Sequence, residues 1–570
     1  MGSFVPRVRA LLPNRSDWAS VRRSPRRDLL AGLTVAVVAL PLALAFGAAS
    51  GVGPGAGVIT AIVAGALAAV FGGSDLQVSG PTGAMTVVLI PVMHRFGADG
   101  VFMVGLLGGA FLLLAALAGL GRVARYLPAP VVEGFTAGIA VVIVLQQVPA
   151  MLGTPGAGDK AWQSAADSVR QFVLDPQWAS LLVALVVAAL ILAGMRWRPA
   201  IPVSLAVVVL ATLVVNVTGI QVDRIGGLPA GVPAPDLGFF DPQLATALIP
   251  SALAVAALGA LESLLSAAVA DGMTVGKQHD PDRELFGQGI ANLVAPLFGG
   301  VPATGAIART AVNARAGASS RLSALIHAAA LAVIVLALSP LVGAIPVSAL
   351  AGVLLATCIQ MIKVGSLLAI ARAARPDALI LLVTLIVTVA ADLVTAVAIG
   401  AGLAVLLALR SVSRSARLDQ VPLDHGDYDR AEHDLLAEHV VAYRIDGPLF
   451  FAAAHRFLLE LAEVAYVRVV ILRLSRVTSL DVTGAQVLGD AISRLERRGI
   501  VVLLSGIRPG HDQVLTSLGV ARHLRDQGRV FADTPAAISY ARDLVNSRTD
   551  EMPARSASDA AIDTDGPTAG

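Results

Sequence analysis

Charge is scarce in this chain. Only 14% of its 570 residues are Asp, Glu, Lys or Arg, against roughly 25% in a soluble domain. The shortage is local. Residues 29–49, 57–74, 101–121, 134–158, 176–195, 199–222, 285–308 and 322–362 contain no charged side chain. About 20 apolar residues cross a bilayer core as a helix, so these runs exclude a soluble globular protein and specify a polytopic α-helical membrane protein. Pro340 and Pro346 divide the last run into two spans. Cysteine is nearly absent: Cys358 stands alone inside an apolar run, which excludes a disulfide framework. Aromatics make up 4%, with no basic aromatic surface, so nucleic acid is not an expected partner. Metal-ligand spacing, a Gly-rich nucleotide loop and a nucleophile–base pair are all missing, so an enzyme, a metal and a cofactor are not expected. The first 28 residues hold seven arginines and no apolar core segment, so a cleavable signal is not expected either.

The charges that are present fall in a pattern. Arg122/Arg125, Arg196/Arg198, Lys277/Arg283, Arg315/Arg321, Lys363/Arg372/Arg375 and Arg410/Arg414/Arg417 follow even-numbered runs. The opposite loops hold few cations, the exceptions being Arg95, Lys160, Arg170 and Arg224. By the positive-inside rule an even number of spans with both termini cytoplasmic is expected, in a plasma (inner) membrane; the count is about fourteen segments, where hydropathy alone would allow about twelve. Two of these are short, near residues 82–94 and 304–314. Residues 1–28 read as a basic amino terminus, 29–410 as the membrane domain, 411–437 as a charged linker, 438–545 as a soluble domain and 546–570 as a disordered tail. In the soluble part, strand patterns at 439–445, 467–474 and 500–505 alternate with helical patterns at 452–465, 483–498 and 534–545. That order specifies a small α/β domain.

One motif occurs twice. Phe71-Gly72-Gly73 recurs as Phe298-Gly299-Gly300, and each is followed by a proline and Thr-Gly-Ala, at 82–84 and 304–306. Gly/Pro interruptions at matching places in two halves of a membrane domain point to a transporter site. Irregular backbone at membrane depth persists only where protein or a wet cavity covers it. A helix that starts there exposes unpaired N–H groups and its positive dipole end, which suit an anion.

These segments, with ALPLALAFGAASGVGPGAG (39–57), GALESLLSAAVADGM (259–273) and GQGIANLVAPLFGGVPATGAIART (287–310), resemble the SulP family of anion transporters, solute carrier family 26. IDGPLFFAAA (445–454) and SLDVTGAQVL (479–488) resemble a STAS domain. The resemblance covers essentially the whole chain, and its membrane segments are closer to bacterial bicarbonate-type members than to plant sulfate transporters. It implies a 7+7 inverted repeat divided into core and gate domains, and a homodimer. It also implies that Thr82, Gly83 and Ala84 open one half-helix and Gly305, Ala306 and Ile307 the other, donating backbone N–H groups to the substrate. The Thr82 hydroxyl is expected as an extra donor, Phe46 as a pocket aromatic and Arg309 as a source of positive potential.

Glu262 interrupts the span 244–270, and an ionisable group at that depth marks an ion or proton path. Ser266 follows one turn later on the same face. Sodium-coupled bicarbonate members have Asp and Thr where this chain has Glu262 and Ser266, and a hydroxyl where Ile307 stands. That favours H+ over Na+ as coupling ion. Leu42 replaces a glutamine found in many sulfate-transporting members, which weakens a sulfate assignment. Thr483 matches the position phosphorylated in bacterial STAS regulators, but the preferred reading is that Asp481 and Thr483 begin a helix, capped by a short polar side chain. His327 reads as a packed helix residue. The expected function is secondary active transport of bicarbonate or a C4-dicarboxylate, with sulfate as a lesser candidate, driven by protons. A sodium symporter and a passive anion channel are the alternatives. A cytoplasmic partner of the STAS domain is a further expectation.

Overall fold

The computed structural model describes residues 10–18, 21, 24–122, 128–156, 160–197, 203–227, 231–274, 278–391, 393–415, 417–421, 439–449 and 467–550. The chain divides into two compact units, 1–404 and 405–570.

The first unit is helical. Among the described residues, nine helices are long and apolar enough to cross a membrane. Its helices are α1 (Pro25–Ala49), α2 (Pro54–Phe71), α3 (Gly83–Ala118), α4 (Ala129–Leu152), α5 (Ala161–Leu174), α6 (Trp178–Trp197), α7 (Val203–Thr218), α8 (Pro242–Met273), α9 (Pro281–Val294), α10 (Ile307–Arg315), α11 (Leu322–Gly343), α12 (Val347–Met361), α13 (Val364–Ala373), α14 (Arg375–Ala390) and α15 (Leu393–Ser415). Helix α3 is two segments, broken at Gly97, whose φ of 67° only glycine adopts readily. With α3 counted as two, and α5 and α13 set aside, each half has seven segments. Helices α1 to α4, α6 and α7 form the first half, and α8 to α12, α14 and α15 the second. The uncharged run 285–308 is not a span. It is the end of α9, a 3-10 turn at Ala295–Phe298 and extended chain, because Pro296, Pro302 and three glycines between 299 and 305 cannot sustain a helix.

Helices α1, α2, α3, α8, α9, α10 and α11 pack on one another, while α4 packs on α12 and α14, and α12 on α6. Within the first group small residues let backbones meet. A Cβ on Gly109 of α3 would lie 2.6 Å from the Leu293 nitrogen of α9, and one on Gly47 of α1 2.7 Å from the Gly57 nitrogen of α2. Lipid gives helices no hydrophobic reason to associate, so such close contacts supply the attraction.

Charged side chains, hydrogen-bonded or ion-paired, fasten this group. Asp28 accepts from the N–H groups of Ser319 (2.6 Å) and Ser320 (3.1 Å). Arg321, buried, pairs with Asp75 at 2.7 Å and donates to the Gly72 carbonyl at the end of α2. A 3-10 turn at Arg15–Trp18 places Asp17 2.7 Å from Arg283 of α9, both buried. Burial works against ionising Asp17, but Arg283 and the Asn14 N–H more than offset it and hold the carboxyl at about 2. A carboxyl lowered from 3.8 stabilises the fold above that value and loses the contribution only as pH falls through about 2. The pair is therefore intact at any physiological pH. Asp17→Asn should leave Arg283 buried without its partner and cost roughly 3–5 kcal/mol, read as a lower melting temperature in detergent. An unchanged melt would mean that water reaches Arg283.

The second unit takes in α15 from Val405 onward and contains β3 (Arg417–Val421), β4 (Val440–Leu449), β5 (Val469–Arg473), β6 (Val477–Leu480), α16 (Val482–Arg497), β7 (Val501–Ser505), α17 (Pro509–Ser517), α18 (Val520–Asp526), β8 (Val530–Phe531) and α19 (Thr534–Asp550). The sheet runs β3-β4-β5-β7-β8, parallel except for β3 against β4, and β6 adds to β4. Strand β3 lies within the stretch expected to be a linker. Alternate residues serve opposite faces, as a pleated strand requires. Val470 and Leu472 pack with Leu488, Ile492 and Leu495 of α16, while Val469 and Ile471 pack with Ala537, Ile538 and Ala541 of α19. The helical pattern at 452–465 and the expected tail beyond 550 lie outside the described residues.

Candidate functional site

Extended segments precede the two half-helices, and they pair with each other. β1 (Ser79–Gly80) and β2 (Thr304–Gly305) run antiparallel, Ser79 opposite Gly305 and Gly80 opposite Thr304. The two Thr-Gly-Ala copies are thereby brought side by side from opposite halves of the chain. Helix α3 begins at Gly83 after Thr82, and α10 at Ile307 after Ala306, neither with a side-chain cap. The first backbone bonds of each run from Thr86 N to Thr82 O and from Thr310 N to Ala306 O. The N–H groups of Gly83, Ala84 and Met85, and of Ile307, Ala308 and Arg309, therefore have no acceptor among the described residues. These are the orphan donors of two helix starts.

The expected donor set needs correction in the second wall. The Gly305 N–H is taken by Ser263 Oγ at 2.9 Å and the Ala306 N–H by the Val78 carbonyl at 2.9 Å. Both residues sit one step too early, in β2 and its exit, so the free donors shift to 307–309. The Thr82 hydroxyl also differs from expectation: it donates to Glu262 Oε2 at 2.7 Å. Gly83, Ala84 and Ile307 stand where they were expected. Phe46 lies against the first helix start, where a Cβ on Gly83 would come within 3.1 Å of its ring and overlap Ile143.

Glu262, half-buried on α8, thus touches the residue that opens the first half-helix. Ser266, on the same helix, donates to Thr310 Oγ1 of the second at 2.9 Å, and Thr310 also accepts the Val78 N–H at 3.1 Å. Helix α8 therefore contacts both half-helices through residues four apart. Arg309 is buried, and its Nη2 donates to the Pro81 carbonyl in the opposite segment. Its Nη1 has no partner among the described residues. Glu262 and Arg309 form no ion pair. His327 is buried within α11, its ring nitrogens without partners among the described residues. In the second unit Asp481 caps α16 by accepting the Gly484 N–H at 2.7 Å, and Thr483 is exposed at the second helical position.

A ladder on α9 was not anticipated. Glu284, fully buried, accepts from Gly73 N (2.9 Å), Ser74 N (3.2 Å), Gln77 Nε2 (2.8 Å) and Gln288 Nε2 (3.0 Å). Gln288 also donates to Ser79 Oγ at 2.7 Å. Asn292 pairs twice with Ala303, at 2.8 and 2.7 Å. The three residues recur every fourth position, one face of a helix, and they hold both extended segments. That spacing of Glu, Gln and Asn in an otherwise apolar helix was the available signal.

The Sulfate permease family matches residues 26–384, and the STAS domain residues 436–537. The chain belongs to the sulfate permease family. A Putative sulfate transporter YvdB of Bacillus subtilis is 33% identical over 515 residues, covering 88% of this chain and 95% of that protein. A Bicarbonate transporter BicA of Picosynechococcus is 31% identical, covering 85% and 89%. The solved transmembrane domain of a cyanobacterial BicA has a TM-score of 0.61 at 34% identity, covering 66% of this chain and 98% of that one. The murine Solute Carrier 26 family member A9 anion transporter, inward-facing, superposes with a TM-score of 0.80 at 18% identity over 95% of this chain and 96% of that one, which supports the fold alone. The seven-plus-seven arrangement and the appended α/β STAS domain of this permease agree with those architectures, and its relatives are named as transporters rather than enzymes.

Proposed function

We propose that this anion transporter of the sulfate permease family works by alternating access, holding a small anion between the half-helix starts at Gly83–Met85 and Ile307–Arg309. The observation that carries the reading is the pairing of β1 with β2, which sets two groups of unpaired N–H donors close together. Two positive helix ends and the Arg309 guanidinium supply the field. Bicarbonate or a C4-dicarboxylate is the favoured substrate, with sulfate also accepted by such donors. Protons drive uptake through Glu262, because Ile307 offers no hydroxyl to a sodium ion. Both termini lie in the cytoplasm, in keeping with the arginine-rich amino terminus, and the protein acts as a homodimer.

Reconstitution into liposomes tests this. Labelled bicarbonate, succinate and sulfate are presented with pH and sodium gradients imposed separately. Uptake above the uncoupled level should follow an inward proton gradient and ignore sodium. A sodium requirement would transfer the coupling role to the hydroxyls of Ser266 and Thr310. Conductance without saturable counterflow would make the protein a channel.

A further inference from the structure

The membrane unit also holds a cavity apart from the half-helix starts, with a volume of about 540 Å³. It opens where the carboxyl ends of α1, α4 and α14 and the start of α12 meet the outer part of α3, on the face opposite the basic amino terminus. His94, Arg95 and Lys160 line it, and no Asp or Glu is among its described lining residues. Arg95 and Lys160 are exposed and, among the described residues, have no carboxylate partner. By contrast Arg283, Arg321, Arg444 and Arg525 all pair with carboxylates. Deeper in, Gln146 and Gln147 project from α4 into the cavity. Thr86 Oγ1 lies 3.5 Å from Gln146 Oε1 and donates to the Gly83 carbonyl at 2.7 Å. A polar route therefore leads from the cationic rim to the first half-helix. The two cations also oppose the charge bias that orients membrane proteins, since this face is otherwise poor in Lys and Arg.

We propose that Arg95 and Lys160 form an anion-loading site, taking small inorganic or carboxylate anions from solution before they reach the half-helix starts. Cations in a concave site with low-dielectric walls focus the field and raise local anion concentration. The destination of the anion rests on the transport reading above; the binding of the anion at the rim does not.

The test uses the full chain in liposomes with Ala161→Cys, at the cavity wall. The native Cys358 is 1% exposed and adds little background. Thiol modification by an anionic sulfonatoethyl and a cationic trimethylammonioethyl methanethiosulfonate is compared, each rate normalised to free cysteine. The anionic reagent should be favoured roughly tenfold at low salt. The preference should vanish with Arg95→Gln plus Lys160→Gln, and in 1 M salt, where screening acts within about 3 Å. Arg95→Lys plus Lys160→Arg should keep it. In uptake, the double glutamine variant should raise KM for external sulfate or bicarbonate about fivefold while leaving the maximal rate within about twofold, the signature of lost ground-state binding. Equal reagent rates, or a preference that survives removal of both charges, would overturn the proposal. Reagent preference without any uptake by the parent protein would instead count against the transport reading and leave the loading site standing.

Discussion

Glu262→Gln should abolish accumulation driven by a pH gradient while leaving substrate exchange in place. One pH unit is worth about 1.36 kcal/mol per proton. A carrier that moves one proton with one monovalent anion can therefore hold about a tenfold gradient of that anion. The glutamine variant should hold no gradient of succinate or sulfate, the anions to measure because bicarbonate and a proton also cross a bilayer together as CO2. The substitution changes little else: its amide oxygen can still accept the Thr82 hydroxyl, which now lies 2.7 Å from Glu262 Oε2. The first half-helix keeps its position, and counterflow of labelled bicarbonate should continue. Such a split between lost accumulation and retained exchange is not expected from a variant that merely misfolds. Tenfold accumulation by Glu262→Gln would remove the coupling role from this residue altogether. Glu262→Asp is the useful companion. It keeps an ionisable group one methylene short of Thr82, so coupling should persist at a reduced rate.

The two Thr-Gly-Ala copies were legible because glycine and proline at membrane depth leave few alternatives. The exact donors were not. Sequence placed Gly305 and Ala306 at the helix start, but the β1–β2 pairing and Ser263 take up their N–H groups. Those acceptors lie 42 residues away for Gly305 and more than 200 for Ala306, contacts that no local pattern encodes. The run 285–308 shows the same limit. Its composition allows a span, and only the spacing of Pro296, Pro302 and the glycines reveals a broken chain. The α/β order of the second unit was legible from period-2 and period-3.6 patterns. Strand β3 was missed because Arg417–Val421 is half charged or polar and becomes a strand by pairing with β4. Asp481 and Thr483 are both short polar residues suited to a helix start, and only the bond to the Gly484 N–H identifies Asp481 as the cap.

Removing the Glu284 carboxylate should do more damage than any change at the anion site. Its oxygens accept four hydrogen bonds, from the turn after α2 and from Gln77 and Gln288. In Glu284→Ala the Gly73 and Ser74 N–H groups lose their acceptor in a buried place. Each unsatisfied donor costs about 1–3 kcal/mol, and total stability is only about 5–15 kcal/mol. Folded yield and melting temperature in detergent should both fall sharply. Transport should fall with them, because the segment that Glu284 holds leads directly into β1 and the first half-helix. Glu284→Gln separates acceptor capacity from charge. Its remaining oxygen can serve Gly73 and Ser74, while its new amide faces Gln77 and Gln288. Both of those have an unpartnered Oε1 and can turn it inward. This variant should therefore melt much nearer to the parent than Glu284→Ala and still accumulate substrate on a pH gradient, unlike Glu262→Gln. If Glu284→Gln folds but cannot accumulate, the ladder takes part in coupling rather than positioning, and the proton route must run through α9 as well as α8.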